Sequence, residues 1–312
     1  MSAPYAVRSQ YTHLYGSSML PVLEEIIDYE LAQHPMRRDL LFQKVATDRD
    51  IYQVTGMHDL PMFENVTEGS EISLSRPLQG ASKTFSIKKM ARGFSISREA
   101  VEDGKFDLIA DMVRKLAKSA RESQEVDAMN VINNGLSGSE TTPDGVAVFS
   151  TAHTLPSGGT FRNRLSSDAD LSPSSLDTML QDFETQFVGD SGIIYAPKPK
   201  YLWCHSSNKR YAMEILESQL KADTADNNKN PFLADGLMVV SSPHLTDTDA
   251  WGLAAAASEN GLRVIEREAL RFSYSNPDEG SGFLTESMIC KASYREQVGC
   301  VNPVGLFGTV GA

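Results

Sequence analysis

The sequence predicts an α+β fold: an N-terminal arm, an extended β-hairpin, one long helix, an α/β module and strands that return at the end. Three observations predict it. Apolar residues recur at helical spacing across residues 98–134, much further than in an ordinary globular helix. Alternating polar and apolar stretches lie just before that helix, and helix and strand signals interleave after it. The chain has 312 residues, 41% hydrophobic and 22% charged, a globular composition with enough length for a sizeable core.

Residues 1–45 read as an arm. Its one strong element is a helix over residues 20–34, with Pro21 in the first turn and Pro35 just past the end. Leu23, Ile26, Ile27 and Leu31 form a thin apolar stripe, interrupted at Glu30, that must pack on something else. Residues 46–97 contain a two-stranded ribbon with its flanks. Residues 71–75 alternate, as do residues 84–88, and Pro77, Leu78, Gln79 and Gly80 supply a turn between them. The ribbon is largely polar on both faces, and an isolated two-stranded ribbon is marginal in water. It needs a partner surface.

The long helix is expected over residues 98–134. Val101, Leu108, Ile109, Met112, Val113, Leu116, Ala120, Met129 and Ile132 mark one face, and Asn133, Asn134 and Gly135 are its stop signal. Residues 135–171, rich in Gly, Ser, Thr and Asp, read as an extended loop, so 98–171 form one region. Residues 172–260 are the α/β module. Ser172 caps a helix with Pro173 at its first position, a strand lies at 200–204, and a helix covers 206–220. A polar loop contains Asp226, Asn227, Asn228, Lys229 and Asn230, and strands follow at 236–240 and 251–255. Residues 261–312 return as β-structure. In its last strand Met288, Cys290, Ala292 and Tyr294 share one face.

Several function classes are disfavoured. No apolar run approaches the roughly 20 residues of a membrane-spanning helix, so no membrane partner is expected. The N-terminus lacks the basic patch and apolar run of a signal peptide, which places the protein in a cytoplasm. Three scattered cysteines read as reduced thiols. A net charge of −12 argues against gripping phosphate backbones as the main role, because that takes clustered Lys and Arg.

Candidate chemistry is sparse. Cys204 and His205 are adjacent on a strand and point to opposite faces, so they cannot pair. His153 follows Ser150 without a GxSxG elbow and reads as a loop-stabilising histidine. The six histidines have no metal-ligand spacing. Thr246, Asp247, Thr248 and Asp249 lack the glycine and distal glutamate of a calcium loop and read as turn chemistry. Gly158 and Gly159 sit in no phosphate-binding motif. No catalytic residue, cofactor or metal is expected. Lys88, Lys89 and Arg92 form a small basic patch, either a solvated strand face or a salt-bridging surface toward an acidic neighbour.

The order of the parts resembles the Hong Kong 97-type capsid fold of tailed bacteriophages, whose elements are an N-arm, an E-loop, a peripheral domain with a spine helix, and an axial domain. Local sequence is similar to Mu-like major head subunits in three places. Asp144-Gly145 through Phe149-Ser150-Thr151-Ala152-His153, with Gly158-Gly159 and Asn163, resembles the loop after the spine helix. Leu245-Thr246-Asp247-Thr248-Asp249-Ala250-Trp251 resembles an axial-domain segment. Ser119-Ala120-Arg121-Glu122 with Asn133-Asn134-Gly135 resembles the spine helix and its end. The resemblance covers roughly residues 20–300.

It implies a virion shell protein, assembled in a host bacterial cytoplasm from pentamers and hexamers of one chain around double-stranded DNA that it contacts weakly and without sequence specificity. A separate scaffolding protein and a portal are implied as partners, with decoration proteins in some relatives. Ile72, Leu74, Phe85, Ile87, Lys88, Lys89 and Arg92 then become E-loop contacts between subunits, and Asp226 to Asn230 the axial-domain tip. Some relatives crosslink an E-loop lysine to an asparagine, but Lys83, Lys88, Lys89 and Asn302 match no crosslinking position. Two alternatives stay open: an encapsulin-like nanocompartment with the same fold, and an α/β enzyme centred on residues 172–260.

Overall fold

A computed structural model describes residues 19–57, 60–74, 79–97, 99–100, 103, 106–155, 158–219, 229–275 and 287–312. Helices α1 (Met19–Gln33) and α2 (Arg38–Leu41) lead into strands β1 (Gln43–Ala46), β2 (Ile51–Met57), β3 (Gln79–Ser86) and β4 (Lys88–Ser97). The long helix α3 (Phe106–Ser137) follows, then the short strands β5 (His153–Thr154) and β6 (Thr160–Phe161). The next stretch runs α4 (Pro173–Thr185), β7 (Pro199–His205), α5 (Lys209–Glu217), α6 (Phe232–Asp235), β8 (Met238–Ser242) and β9 (Trp251–Ala255). Strands β10 (Leu262–Ser275), β11 (Ser287–Cys300) and β12 (Leu306–Thr309) complete the chain. The strands form sheets in the orders β1-β10-β11-β4 and β12-β9-β7-β8, with two-stranded pairs β2-β3 and β5-β6.

The chain divides into two compact units. The first takes Met1–Met36, Lys88–Gln124 and Arg267–Glu296, and the second takes Arg37–Ile87, Glu125–Glu266 and Gln297–Ala312. The core of the first unit joins Ile27 of α1 to Ile109, Val113, Leu116 and Ala117 of α3, and to Ile96, Cys290 and Ala292 of the sheet. This is the surface the thin stripe of α1 requires. Strands β4 and β11 pair antiparallel from Ser97 opposite Ser287 to Lys88 opposite Glu296. Side chains alternate across a strand, so Phe94, Ile96, Cys290 and Ala292 share the core side, and Lys89, Lys291 and Arg295 lie on the other.

In the second unit β7 is buried on both faces, and alternation sends its residues into two cores. Leu202 and Cys204 pack with Leu176, Met179 and Phe183 of α4 and with Ala212, Ile215 and Leu216 of α5. Tyr201 and Trp203 pack with Ala128, Met129, Val131, Ile132 and Leu136 of α3. The start of α4 is fixed as its sequence predicts. The Ser172 side chain accepts from the Ser175 N–H, the Ser175 side chain returns a bond to the Ser172 backbone, and Pro173 opens the helix.

Four expectations are corrected. The ribbon partner of β3 is β2, with Ile51 opposite Ser86 and Thr55 opposite Ser82; residues 71–74 form no strand. Tyr52 and Val54 on β2 are half-buried, whereas Ile72 and Leu74 remain exposed, so β2 offers β3 the better-covered pairing surface. Ser75, Pro77 and Leu78 lie outside the described residues. Second, α3 runs through Asn133, Asn134 and Gly135 to Ser137. Gly135 is there for close packing, since a Cβ on it would lie 2.8 Å from Val148 Cβ. Asn133 is a clamp, donating to the His244 carbonyl at 2.9 Å and accepting from the Thr246 N–H at 3.1 Å. Third, Lys88, Lys89 and Arg92 do not belong to the ribbon. They lie on β4, an edge strand of the other sheet, where exposed cations discourage further strand pairing. Fourth, Phe85 is not an exposed contact: at 4% exposure it is buried inside the second unit.

The reason for the last is Gly299. A Cβ at that position would sit 2.3 Å from the Phe85 ring, so the missing side chain is what lets Phe85 fit. Gly299→Ala is expected to destabilise the subunit by about 1–3 kcal/mol through overpacking. Combining it with Phe85→Leu should cost less than the sum of the two single changes, because they share one contact. Chemical denaturation of the four proteins in the cycle measures this.

Candidate functional site: assembly surfaces

Residues 60–74 belong to the connection between β2 and β3 and form no helix or strand. Every one of them is exposed. Among them are Leu60, Met62, Phe63, Val66, Ile72 and Leu74, the last two at 75% and 92% exposure. Scattered apolar side chains are ordinary on a surface, but six within fifteen consecutive residues mark an interaction segment. Three carboxylates, Glu64, Glu68 and Glu71, and no Lys or Arg lie in the same stretch. Sequence alternation singled out Ile72 and Leu74. It missed Leu60, Met62, Phe63 and Val66, whose spacing follows no helix or strand period.

The ribbon's root is anchored. Lys83 on β3 pairs with Glu140 at 2.6 Å, donates to the Thr141 carbonyl, and lies 5.0 Å over the Phe85 ring. Ile87 is half-buried, and its N–H donates to the Asp50 carbonyl at 3.0 Å. A second surface is the outward face of the sheet in the first unit. Lys89 and Lys291 are exposed there. Arg295, opposite Lys89 in register, shares the carboxylate of Glu268 with Arg271, at 3.5 and 3.3 Å.

The predicted tip loop is partly described. Asp226, Asn227 and Asn228 lie outside the described residues. Lys229 is exposed. Asn230 is not a tip residue: it is buried, donates to the Ile215 carbonyl at 2.6 Å and accepts from the Phe232 N–H at 3.2 Å. It ties the end of the loop to α5 and α6.

His153 is wholly buried. Its Nδ1 faces Asp144 Oδ2 at 2.8 Å and its Nε2 faces Asn163 Oδ1 at 3.0 Å, while the ring stacks on Phe161 with centroids 5.0 Å apart. Asn163 also donates to the Val148 carbonyl and accepts from the Ser150 N–H. The His–Asp pair has the parts of a proton relay, but both nitrogens are occupied and no substrate can reach them. It is a loop latch. Cys204 is buried on β7, and His205 turns to the other face, where its Nδ1 accepts from the Ser207 N–H. Asp247 accepts from the Asp249 N–H at 3.0 Å, a turn of the expected kind. Among the described residues no group of three or more His, Cys, Asp or Glu is placed to hold a metal ion, and no helix is long and apolar enough to cross a membrane.

A two-unit α+β subunit with an anchored ribbon, a long helix and an exposed apolar segment is the architecture of a shell-building protein, and known proteins agree. Residues 80–307 match the family described as phage capsid protein, and the chain belongs to that family. No curated protein matches it by sequence. Its fold is of the Hong Kong 97 type and is similar to several solved shells. A chain from Microbacterium phage Oxtober96 is 11% identical, with a TM-score of 0.54 over 88% of this chain and 90% of that one. A capsid chain of a native GTA particle is 14% identical, with a TM-score of 0.55 over 88% and 90%. A virus-like particle chain from Pyrococcus furiosus is 12% identical, with a TM-score of 0.53 over 94% and 100%. The protein is a structural capsid protein of a virion rather than an enzyme, as its family and fold place it.

Two outcomes follow for the buried groups. Burial raises the Asp144 carboxyl, but bonds from His153, Thr142 and the Val146 N–H outweigh it and hold the group below its ordinary 3.8. The stability this carboxylate contributes is therefore present above pH 3.8 and is lost as pH falls through the lower folded value. Asp144→Asn should cost about 1–2 kcal/mol at neutral pH and flatten the acid limb of the unfolding curve below pH 3.8. Burial also pushes the Cys204 and Cys290 thiols up to about 11 and Cys300 to about 12. Thiol reagents should leave all three untouched in the folded protein and titrate them only in denaturant.

Proposed function

We propose that this chain is the major head subunit of a tailed bacteriophage, occupying both pentamers and hexamers of a closed shell around double-stranded DNA. The observation that carries the reading is the segment 60–74, whose six large apolar side chains are all exposed. In a shell such a segment lies across a neighbour, and stability becomes inseparable from assembly. Ile72 and Leu74 are then contacts between subunits, and Lys88, Lys89 and Arg92 on β4 face a neighbour, with Ile87 contributing its exposed part. The functional division is an N-arm over 1–45, an E-loop region over 46–97, peripheral segments over 98–171 and 261–312, and an axial domain over 172–260.

The net charge of −12 suits a wall that encloses DNA with weak, sequence-independent contacts. A separate scaffolding protein, a portal and decoration proteins are the partners this role entails, with assembly in a bacterial cytoplasm.

Negative-stain microscopy and sedimentation of the purified protein test the reading. Closed or tubular shells are expected, with nucleic acid rather than an enzyme as cargo. A sharp monomer or dimer that persists across salt and concentration would overturn it. Replacing residues 61–74 with a short Gly-Ser bridge should leave a folded subunit with an unchanged melting temperature, because none of those side chains is buried. That variant should form no stable shells. Burying one aliphatic or aromatic side chain is worth about 1.5–3 kcal/mol, and several are lost at every contact.

A further inference from the structure

We infer that Arg114, Lys118 and Arg121 form a phosphate-binding stripe on α3 that meets double-stranded DNA without reading its sequence; this rests on the shell reading above and names the face that the enclosed nucleic acid touches. Residues 112–121 hold four cations, Arg114, Lys115, Lys118 and Arg121, and no carboxylate. All four belong to α3 within the first unit. In a chain of net charge −12 such a run stands apart, because contact with a phosphate backbone needs cations that are clustered.

The helix sorts these cations by face. Positions 114, 118 and 121 follow the spacing i, i+4 and i+7 and so share one stripe. Ile109, Val113 and Leu116, which are buried in the core, occupy another side of the helix. Lys115 stands off the stripe and is already paired, with Asp111 at 2.7 Å. The next carboxylate along the helix, Glu122, has a partner of its own. Lys118 is exposed and Arg114 half-buried, and neither forms an ion pair among the described residues.

Arg121 makes the stripe more than a solvated helix face. Its Nη1 donates to the Met36 sulfur at 3.5 Å, and its Nε is buried with no hydrogen-bond partner among the described residues. A thioether is a weak acceptor, so Met36 holds the guanidinium in place without neutralising it. A phosphate oxygen offers the charge-assisted acceptor that the protein leaves out. The spacing also suits a duplex backbone. At ~1.5 Å per residue the stripe extends about 10.5 Å. One strand of duplex DNA presents a phosphate about every 3.4 Å along its axis, so the stripe spans about three. Three contacts are too few to grip DNA, and phosphate contacts carry no sequence information. A weak, sequence-independent contact is what such a stripe supplies.

Binding of the full-length subunit to labelled duplex DNA, read by fluorescence anisotropy across a salt series, tests the stripe. Log affinity should fall against log salt with a slope of about −2.7, and two unrelated duplexes should bind alike. Arg114→Gln/Lys118→Gln should weaken binding about tenfold at low salt and reduce the slope to about −0.9. Arg114→Lys/Lys118→Arg, which keeps both charges, should bind like the wild type. So should Lys198→Gln/Lys209→Gln, which removes two exposed cations elsewhere on the chain. All three variants should melt like the wild type and build the same shells.

An unchanged affinity and slope in Arg114→Gln/Lys118→Gln overturns the stripe and leaves the shell reading standing. An equal loss in Lys198→Gln/Lys209→Gln also overturns it, because the effect would then be one of net charge. Polyglutamate bound as tightly as DNA, and lost in the same variant, would assign the stripe to an acidic polypeptide and overturn the nucleic-acid partner. If DNA binds as expected but the wild type forms no shells at all, the underlying reading has failed instead.

Discussion

One helix sets the terms for the rest of the subunit. Along α3, Ile109, Val113, Leu116 and Ala117 belong to one core, and Ala128, Met129, Val131, Ile132 and Leu136 belong to another. Its 32 residues extend about 48 Å at 1.5 Å per residue. So long a helix cannot be covered by its own turns; its apolar stripe must be met twice, by α1 and the β4-β11 ladder near its start and by β7 and the segment at Val148 and Phe149 near its end. Gly135 shows how close the second meeting is. The helix accepts the roughly 1 kcal/mol penalty of an internal glycine because a side chain there would collide with Val148.

Once those cores are filled, the ribbon is left with little to bury. It is fastened at its root by Phe85 against Gly299 and by Lys83 on Glu140, and it is bare beyond. A surface segment holding Phe63, Ile72 and Leu74 invites aggregation. Glu64, Glu68 and Glu71 oppose that, because identical segments repel one another and cannot stack. The carboxylates therefore serve the free subunit as well as any assembly, keeping the apolar residues available without letting like pair with like.

Much of this was legible in the sequence wherever the signal was local. The cap at Ser172 with Pro173, the limits of α1 and the strands near 200 and 251 depend on residues within a few positions, and the structure agrees. The loop role of His153 was legible because no motif gave it another task. What escaped was non-local. Nothing near Thr84 says that its strand pairs with Gln53 rather than with residues 71–75; that choice is made by which partner brings coverage. Phe85 looked exposed because the glycine that receives it lies more than two hundred positions away. Asn230 looked like a loop tip because its bonds to Ile215 and Phe232 turn on how α5 and α6 pack. The stop signal at Asn133 to Gly135 misled for the same reason, since long-range packing outweighed a local propensity of about 1 kcal/mol.

The basic face of the first unit is a case where composition hides what a fold creates. A net charge of −12 spread over the chain suggests a surface indifferent to carboxylates. Lys89, Arg271 and the pair Lys291 and Arg295 come from three separate stretches of sequence, and side-chain alternation along β4, β10 and β11 gathers them on one side of the sheet. A total charge reports on solubility and on approach from a distance, where screening beyond roughly 8 Å at physiological salt leaves little else. At contact distance the local sign decides. The same subunit can therefore repel its copies in dilute solution and still hold, on one sheet face, the charge that an acidic partner would need. Contacts made through such a face are screened by salt, whereas the folded cores, which carry none of these charges, hold by burial alone.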